Sequence, residues 1–344
     1  MHTARGRGVR SRAGLRALAD QVVVITGGSS GIGRATAIRM GRAGARVVVM
    51  SRDEQGLAET VAEIVRNGGE AKHIVCDVTD RLALQSAVDR VEKWFGRVDT
   101  WVGNAGVLMY GRFTDTSPDE FRRMMEVNYI GQIHGIQVAL PALHRAGGGA
   151  LICVTSAEAV VTLPMHSAYA ASKHALEGAL DGLRRELIDA KEPIQVTAVR
   201  PAVIDTAIYS HARNVMRRRP KAPRPYYGPD VVADAVLFAA EHPVRTIHAG
   251  GGARLFTLLQ MLFPSALDAG LGRFGVGMMH TGEPTPPNEG NLERSMGAAA
   301  GGLPARGRRW SLHTWLAVHP NVQRTTILGA AGLGILTFRA RRRT

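Results

Sequence analysis

The sequence predicts an α/β fold, a doubly wound parallel sheet of about seven strands with helices on both faces, followed by a C-terminal tail. Three observations carry this. Short β-branched runs alternate with longer amphipathic stretches between residues 21 and 250, the pattern of parallel strands joined by helical crossovers. The short runs are nearly continuous in apolar residues, as strands buried on both faces require. A Gly-rich turn, Thr26-Gly27-Gly28-Ser29-Ser30-Gly31-Ile32-Gly33, joins the first run to the first amphipathic stretch.

Taken in order, the strand candidates are Val22–Thr26, Arg46–Met50, Ala71–Cys76, Thr100–Gly103, Ala150–Thr155, Gln195–Arg200 and a weaker Thr246–His248. Helical periodicity falls near 32–43, 53–67, 80–95, 117–144, 167–190 and 229–241. Asp53 and Glu54 open the second of these as capping and dipole partners. No repeat of solenoid period is present.

The chain has 344 residues, 45% of them hydrophobic, enough to bury a sizeable core. Cys76 and Cys153 lie in apolar runs and read as reduced, buried thiols of an intracellular protein. The net charge of +14 is unevenly placed. Residues 1–20 hold five Arg against Asp20, and residues 301–344 hold eight Arg and no acid. The body is therefore nearly neutral, and nucleic acid is not expected as a partner. Residues 1–17 read as a basic tail without the apolar core of a secretory signal, which points to a cytoplasmic protein. Residues 18–265 form the expected catalytic body, 266–309 a linker and 310–344 a second tail. Within the linker, residues 280–308 contain six Gly and four Pro, too many breakers for a continuous helix or strand.

The C-terminal tail carries Trp310, Leu312, Trp315, Leu316 and Val318, then an uncharged run from Thr325 to Phe338 ending in Arg339, Arg341, Arg342 and Arg343. The run is shorter than the roughly 20 residues that span a bilayer. Two readings stand: peripheral contact with an anionic membrane, or docking on the body or another subunit.

Ligands of such a sheet bind beyond the carboxyl ends of its strands. The Gly-rich turn there lets the backbone approach a pyrophosphate, while the following helix offers free N–H groups. Where NAD sites usually place an acid at the end of the second strand, this chain has Met50-Ser51-Arg52. Arg52 is suited to a 2′-phosphate and Arg34 supplies a second charge, so NADP(H) is preferred over NAD(H). Asp77, with Val78 after it, ends the third strand and Asn104-Ala105-Gly106 follows the fourth. Taken alone, these are equally turn or cap residues.

At the other end of the cleft, the fifth strand stops at Thr155-Ser156, and Tyr169 and Lys173 lie four residues apart on one helix face. An ammonium near a phenol favours tyrosinate and lowers its pKa toward neutrality, as an acid/base requires. The twelve His are scattered without zinc-like spacing, so no metal is expected.

The Thr26–Gly33 turn, Asn104-Ala105-Gly106, Asn128, Ser156 thirteen residues before Tyr169, the Tyr169/Lys173 pair, and Pro201 with Thr206 five further on together resemble the short-chain dehydrogenase/reductase family over about residues 18–265. The resemblance implies a Rossmann-type fold. It also implies an oxidoreductase that interconverts a carbonyl and an alcohol by hydride transfer with NAD(P). By it, Tyr169 is the acid/base, Lys173 holds the nicotinamide ribose and depresses the tyrosine pKa, and Ser156 bonds the substrate oxygen. Asn128 would anchor Lys173 through water. Gly27, Gly31 and Gly33, with Thr26, Ser29, Ser30 and Ile32, would face the pyrophosphate. Ser51 and Arg52 would take the adenosine ribose, Asp77 and Val78 the adenine, Asn104, Ala105 and Gly106 the adenosine side, and Pro201, Val203 and Thr206 the carboxamide end. Two departures stand out: Gly103 replaces the first Asn of the usual Asn-Asn-Ala-Gly, and Ala202 replaces the Gly of Pro-Gly.

The segment after the sixth strand carries Arg213, Arg217, Arg218, Arg219, Lys221 and Arg224, read either as a rim that steers anions or as a solvated mobile face. Val107, Leu108 and Met109, with Val160, Val161 and Leu163, make an apolar wall that fits a hydrophobic carbonyl or alcohol. Helices 117–144 and 167–190 resemble those that pair subunits in the family, implying a homodimer or homotetramer. The rival to the enzyme is an NADP(H)-binding sensor or scaffold without turnover.

Overall fold

The computed structural model describes residues 15–297, 303 and 306–322. Residues 1–14 and the Thr325–Phe338 run lie outside the described residues.

Seven parallel strands form the central sheet: β1 Val22–Thr26, β2 Arg46–Ser51, β3 Glu70–Val75, β4 Thr100–Gly103, β5 Gly149–Val154, β6 Ile194–Pro201 and β7 Thr246–Ala249. Their spatial order is β7-β6-β5-β4-β1-β2-β3. The chain thus starts in the middle, winds to one edge, returns across β1 and winds to the other. Crossovers are α1 Gly31–Arg42, α2 Glu54–Arg66, α3 Arg81–Phe95, α4 Pro118–Met125, α5 Gly131–Arg145, α6 Ser167–Asp189 and α7 Pro229–Glu241.

Both faces of the sheet are packed, which explains the near-continuous apolar strands. In β1, Val22 and Val24 face a core shared with Trp101, Leu151, Leu176 and Leu180. Val23 and Ile25 face the opposite core with Leu57, Ile64, Val231 and Val236. Alternate side chains of one strand feed the two layers, each fully buried aliphatic contributing about 1.5–3 kcal/mol. Only β3, an edge strand, alternates with exposed residues such as Glu70 and Val75.

Three features depart from the sequence expectation. The periodic stretch 117–144 is not one uniform helix, because Glu126–Ile130 make a π-helical turn between α4 and α5. The stretch expected as a flexible linker is built into the molecule. The helices α8 Gly251–Leu262 and α9 Pro264–Gly270 lead through a further helical turn to β8, His280–Pro284. This strand pairs antiparallel with Arg218–Pro220. Breaker residues forbid long elements but not a short strand whose partner satisfies its amides. Beyond it, Leu292 is buried in the core and α10 Leu312–Ala317 docks by way of Thr314 Oγ1, which accepts from Gly250 N at 2.8 Å. At the other end Leu15 is 2% exposed and Arg16 pairs with Asp99 at 3.0 Å, so the body begins before residue 18.

No single described helix is long and apolar enough to cross a membrane, although α8 and Pro264–Met278, bent at 117°, together reach that length and composition.

Candidate active site

A continuous cavity of about 280 Å³ runs along the carboxyl ends of the strands, from Ser51 and Arg52 to Tyr169, Lys173 and Phe256. Its floor at one end is the Gly-rich turn. Gly27 and Gly31 have φ of +69° and +53°, conformations that L side chains rarely adopt. A Cβ at Gly33 would lie 2.2 Å from Gly27 O. Helix α1 starts without a side-chain cap at Ser30, leaving its first amides free for an anion. Asn104 holds the turn from the side, its Nδ2 donating to Thr26 O at 3.0 Å and Gly27 O at 3.2 Å. The cradle fits the pyrophosphate of a nicotinamide dinucleotide.

Not every expected contact residue reaches this cavity. Ser29, Ser30, Gly31, Ile32, Ser51, Arg52, Asp77, Val78, Asn104, Ala105 and Gly106 line it, as do Pro201, Val203 and Thr206. Thr26 acts beneath it, its Oγ1 accepting from the amides of Asn104 and Ala105 at 3.0 and 3.2 Å. Gly33 and Arg34 are not among the lining residues. Glu63 on α2 pairs with the Arg34 guanidinium at 3.0 Å and Glu59 lies at 4.0 Å, so Arg34 is engaged by the neighbouring helix rather than by the cavity. Asp53 caps α2, accepting from Gly56 N at 3.2 Å.

Arg52 stands at the cavity end with Asp77 at 3.7 Å. It also donates to the carbonyls of Asn291 at 2.9 Å and Glu293 at 3.0 Å, and Ser295, Met296 and Gly297 join the lining. No sequence signal marked this segment, since backbone carbonyls recognise Arg52 whatever the side chains are. The basic stretch is ordered in the same way: Arg213 pairs with Glu120 at 2.8 Å and Arg219 with Glu283 at 3.1 Å. Arg224 alone of that group lines the cavity.

The opposite end is set by β5 and α6. Glu177, one turn after Lys173, accepts from Thr155 Oγ1 and Arg200 Nε at 2.8 Å each. This fixes the strand end that carries Ser156 against the helix that carries Tyr169. Lys173 Nζ lies 5.7 Å from the Tyr169 ring centre and donates to Val154 O at 3.2 Å. Asn128, wholly buried, sits in the π turn. Its Oδ1 accepts from Val107 N at 2.8 Å, and its Nδ2 donates to Val107 O at 2.9 Å and Ser172 Oγ at 3.2 Å. It therefore braces the loop after β4 against α6 and does not touch Lys173 directly. The departure at Gly103 has a steric reason: a Cβ there would lie 2.2 Å from Gln132 Oε1, and Gln132 donates to Ala105 O at 2.9 Å.

Burial pushes the Tyr169 phenol above its ordinary range, the Glu158 carboxylate adds to the rise, and a hydrogen bond with Ser156 opposes it. Burial lowers Lys173 to about 8. The expected depression of the tyrosine by Lys173 is thus not what this arrangement produces, because loss of hydration outweighs an ammonium directed at a carbonyl. Burial likewise raises the Cys76 and Cys153 thiols, to about 11 and about 12.

Two residues with no part in the sequence expectation enter the same chamber. Glu158 follows Ser156 by two, and His166 precedes Tyr169 by three; both line the cavity. A Glu two positions after the strand-end serine and a His one turn ahead of the tyrosine were the available signals.

Comparison with known proteins agrees with this geometry. A family model described as short chain dehydrogenase matches residues 21–216. An uncharacterized oxidoreductase of Bacillus subtilis, YxnA, is 33% identical over 93% of this chain and 92% of its own length. Dehydrogenase/reductase SDR family member 7B of Bos taurus is 38% identical, over 59% of this chain and 63% of its own. Among solved structures, an alcohol dehydrogenase from the archaeon Thermococcus sibiricus, complexed with 5-hydroxy-NADP, superposes with a TM-score of 0.57 at 28% identity, covering 66% of this chain and 94% of that one. A short chain dehydrogenase from Mycobacterium paratuberculosis bound to NAD gives 0.61 at 27% identity, covering 69% and 99%.

Proposed function

The chain belongs to the short-chain dehydrogenase family and is an oxidoreductase acting on CH–OH donors, and from that premise we propose an NADP(H)-dependent enzyme that interconverts a hydrophobic ketone or aldehyde and its alcohol. The observation that carries the reading is the convergence of Ser156, Tyr169 and Lys173 at one end of a cavity whose other end is a glycine cradle and Arg52. When bound, the dinucleotide supplies or accepts the hydride.

The protein's own groups do the rest. Ser156 Oγ accepts from Glu158 N at 3.0 Å, which holds the hydroxyl beside Tyr169, where its O–H can turn from the phenol to the substrate oxygen. Tyr169 gives its phenolic proton to that oxygen during reduction and takes it back during oxidation. Lys173 and the buried Asn128 hold this end of the cavity in shape for an oriented approach. Arg52 favours a 2′-phosphate as a charge-assisted partner, which supports NADP(H) over NAD(H). Leu108, Val161 and Leu163 furnish an apolar wall. Assembly as a dimer or tetramer through α4–α5 and α6, a cytoplasmic setting and lipid contact through the tail beyond residue 322 belong to the same reading.

The experiment is NADPH oxidation by the purified chain on a panel of hydrophobic ketones and aldehydes, with NADH and Tyr169→Phe in parallel. Turnover with NADPH that Tyr169→Phe lowers by at least about a hundredfold, with NADPH binding kept, is expected. Binding of NADPH by both proteins with no turnover on any carbonyl favours the sensor reading instead.

A further inference from the structure

His166 is a buried histidine with one ring nitrogen engaged and the other unused. Its side chain is 3% exposed. Nδ1 meets both oxygens of Glu158, at 3.0 and 3.1 Å, and Nε2 is buried with no hydrogen-bond partner among the described residues. A carboxylate oxygen accepts, so whenever the ring is neutral its proton belongs on Nδ1 and Nε2 presents a lone pair. Glu158 is itself held, accepting from Leu163 N at 3.3 Å.

The position is built. Met165, immediately before, has φ of +70°, a strained conformation for a residue with a Cβ. Its carbonyl accepts from Gly111 N at 3.0 Å, and its side chain is buried beside Leu108 and Tyr110. This turn delivers the His166 ring edge-on against Tyr110 at 4.5 Å and Tyr169 at 6.1 Å between ring centres. Both dyad members line the cavity that holds Tyr169 and Ser156. Leaving a buried acceptor unsatisfied costs about 1–3 kcal/mol, and neither the apolar Leu108, Val161 and Leu163 nor the nearby tyrosine hydroxyls bond Nε2.

We propose that Glu158 and His166 form a substrate subsite in which His166 Nε2 accepts a hydrogen bond from a hydroxyl near the reacting carbon. The substrate class is then an apolar ketone bearing an adjacent hydroxyl, or the corresponding diol. His166 touches substrate, and Glu158 is a positioning residue that fixes the tautomer. The inference rests on the proposed carbonyl reductase and deepens it.

The test compares 2-hydroxyacetophenone with acetophenone, using the full chain and NADPH, and reads the ratio of their kcat/KM values. A site that bonds a hydroxyl discriminates against the analogue lacking it. The wild type is expected to favour the hydroxy ketone by about tenfold or more. His166→Phe, which keeps a planar ring but has no lone pair, brings the ratio close to one, whatever happens to absolute rates. Glu158→Gln retains an oxygen for Nδ1–H and most of the preference; Glu158→Leu loses it. That Glu158 pair carries the test if the ring substitution unfolds the chain. A wild-type ratio near one, or a preference that survives in His166→Phe and Glu158→Leu, overturns the subsite. If neither ketone is reduced, the carbonyl reductase fails for this pair, and the subsite is read from equilibrium binding to the NADPH-loaded protein. Tighter binding of the hydroxy ketone, lost in His166→Phe, sustains it; equal binding of the two ketones overturns it.

Discussion

Lys173 is held in the protein against its charge. Burial brings its ammonium down to about 8 from an ordinary value of 10.5. Between those two values the unfolded chain binds more protons than the folded one, so this group makes stability rise with pH across that window. Below about pH 8 its penalty is constant, at about 1.4 kcal/mol for each unit of depression. The buried thiols act in the opposite sense above pH 9, their ordinary value, and the raised Tyr169 phenol does so above pH 10. Comparing the wild type with Lys173→Met cancels those contributions apart from the share of the Cys153 shift that Lys173 itself opposes. Melting temperatures taken from pH 7 to 10 should show a wild-type deficit relative to the variant that narrows above pH 8. A constant gap across the range would mean that the ammonium is not desolvated as the geometry requires.

At the scale of elements, the turn into α1 is a joint with no room to spare. A Cβ at Gly33 would lie 2.2 Å from Gly27 O and 2.6 Å from Asn104 Nδ2, backbone and braced side chain that have nowhere to move. Gly33→Ala is therefore expected to lower stability by about 1–3 kcal/mol and to weaken NADPH binding. Gly178→Ala, on α6 where an added Cβ meets nothing within 4 Å, should raise stability by up to about 1 kcal/mol. Thermal melts and NADPH fluorescence titration check both, and a Gly33→Ala protein that melts and binds like the wild type would remove the steric account of the cradle. This joint was legible in the sequence because glycine spacing answers to backbone sterics. The seven strands were legible because two-sided burial leaves continuous apolar runs. The π turn at Glu126–Ile130 was not, since one extra residue per turn leaves the apolar period almost unchanged while moving Asn128 under Val107. Strand β8 was also hidden: its partner Arg218–Pro220 lies some sixty residues earlier, and no local pattern records a pairing at that distance. The Glu158–His166 dyad escaped for a related reason, being made by a strained turn at Met165 that only the fold reveals.

The whole molecule closes on itself at the cofactor end. After α9 the chain returns over the body, Asn288 N and Asn291 N donating to Asn214 O and His211 O at 3.1 and 2.9 Å. It then reaches Arg52, whose guanidinium takes the carbonyls on either side of Leu292. Leu292, 4% exposed, is the apolar anchor of that crossing, and Arg123 Nε secures its carbonyl at 3.1 Å. Two carbonyls orient Arg52 while its carboxylate neighbour, Asp77, stands off at 3.7 Å, so the anchor should matter to a 2′-phosphate through Arg52 and not otherwise. On the proposed NADP(H) reading, Arg52→Ala is expected to cut a preference for NADPH over NADH by about tenfold or more, the scale of one charged hydrogen-bond pair. Leu292→Ala, which leaves a cavity beneath the crossing, should cut it part of the way. The informative protein is the double variant, because sites that act through one another are not additive. If the extension works by holding Arg52, the double variant shows the preference of Arg52→Ala alone. If instead the two losses multiply, the crossing closes the cavity independently of the guanidinium, and Ser295 to Gly297 would be doing so by covering the adenosine directly.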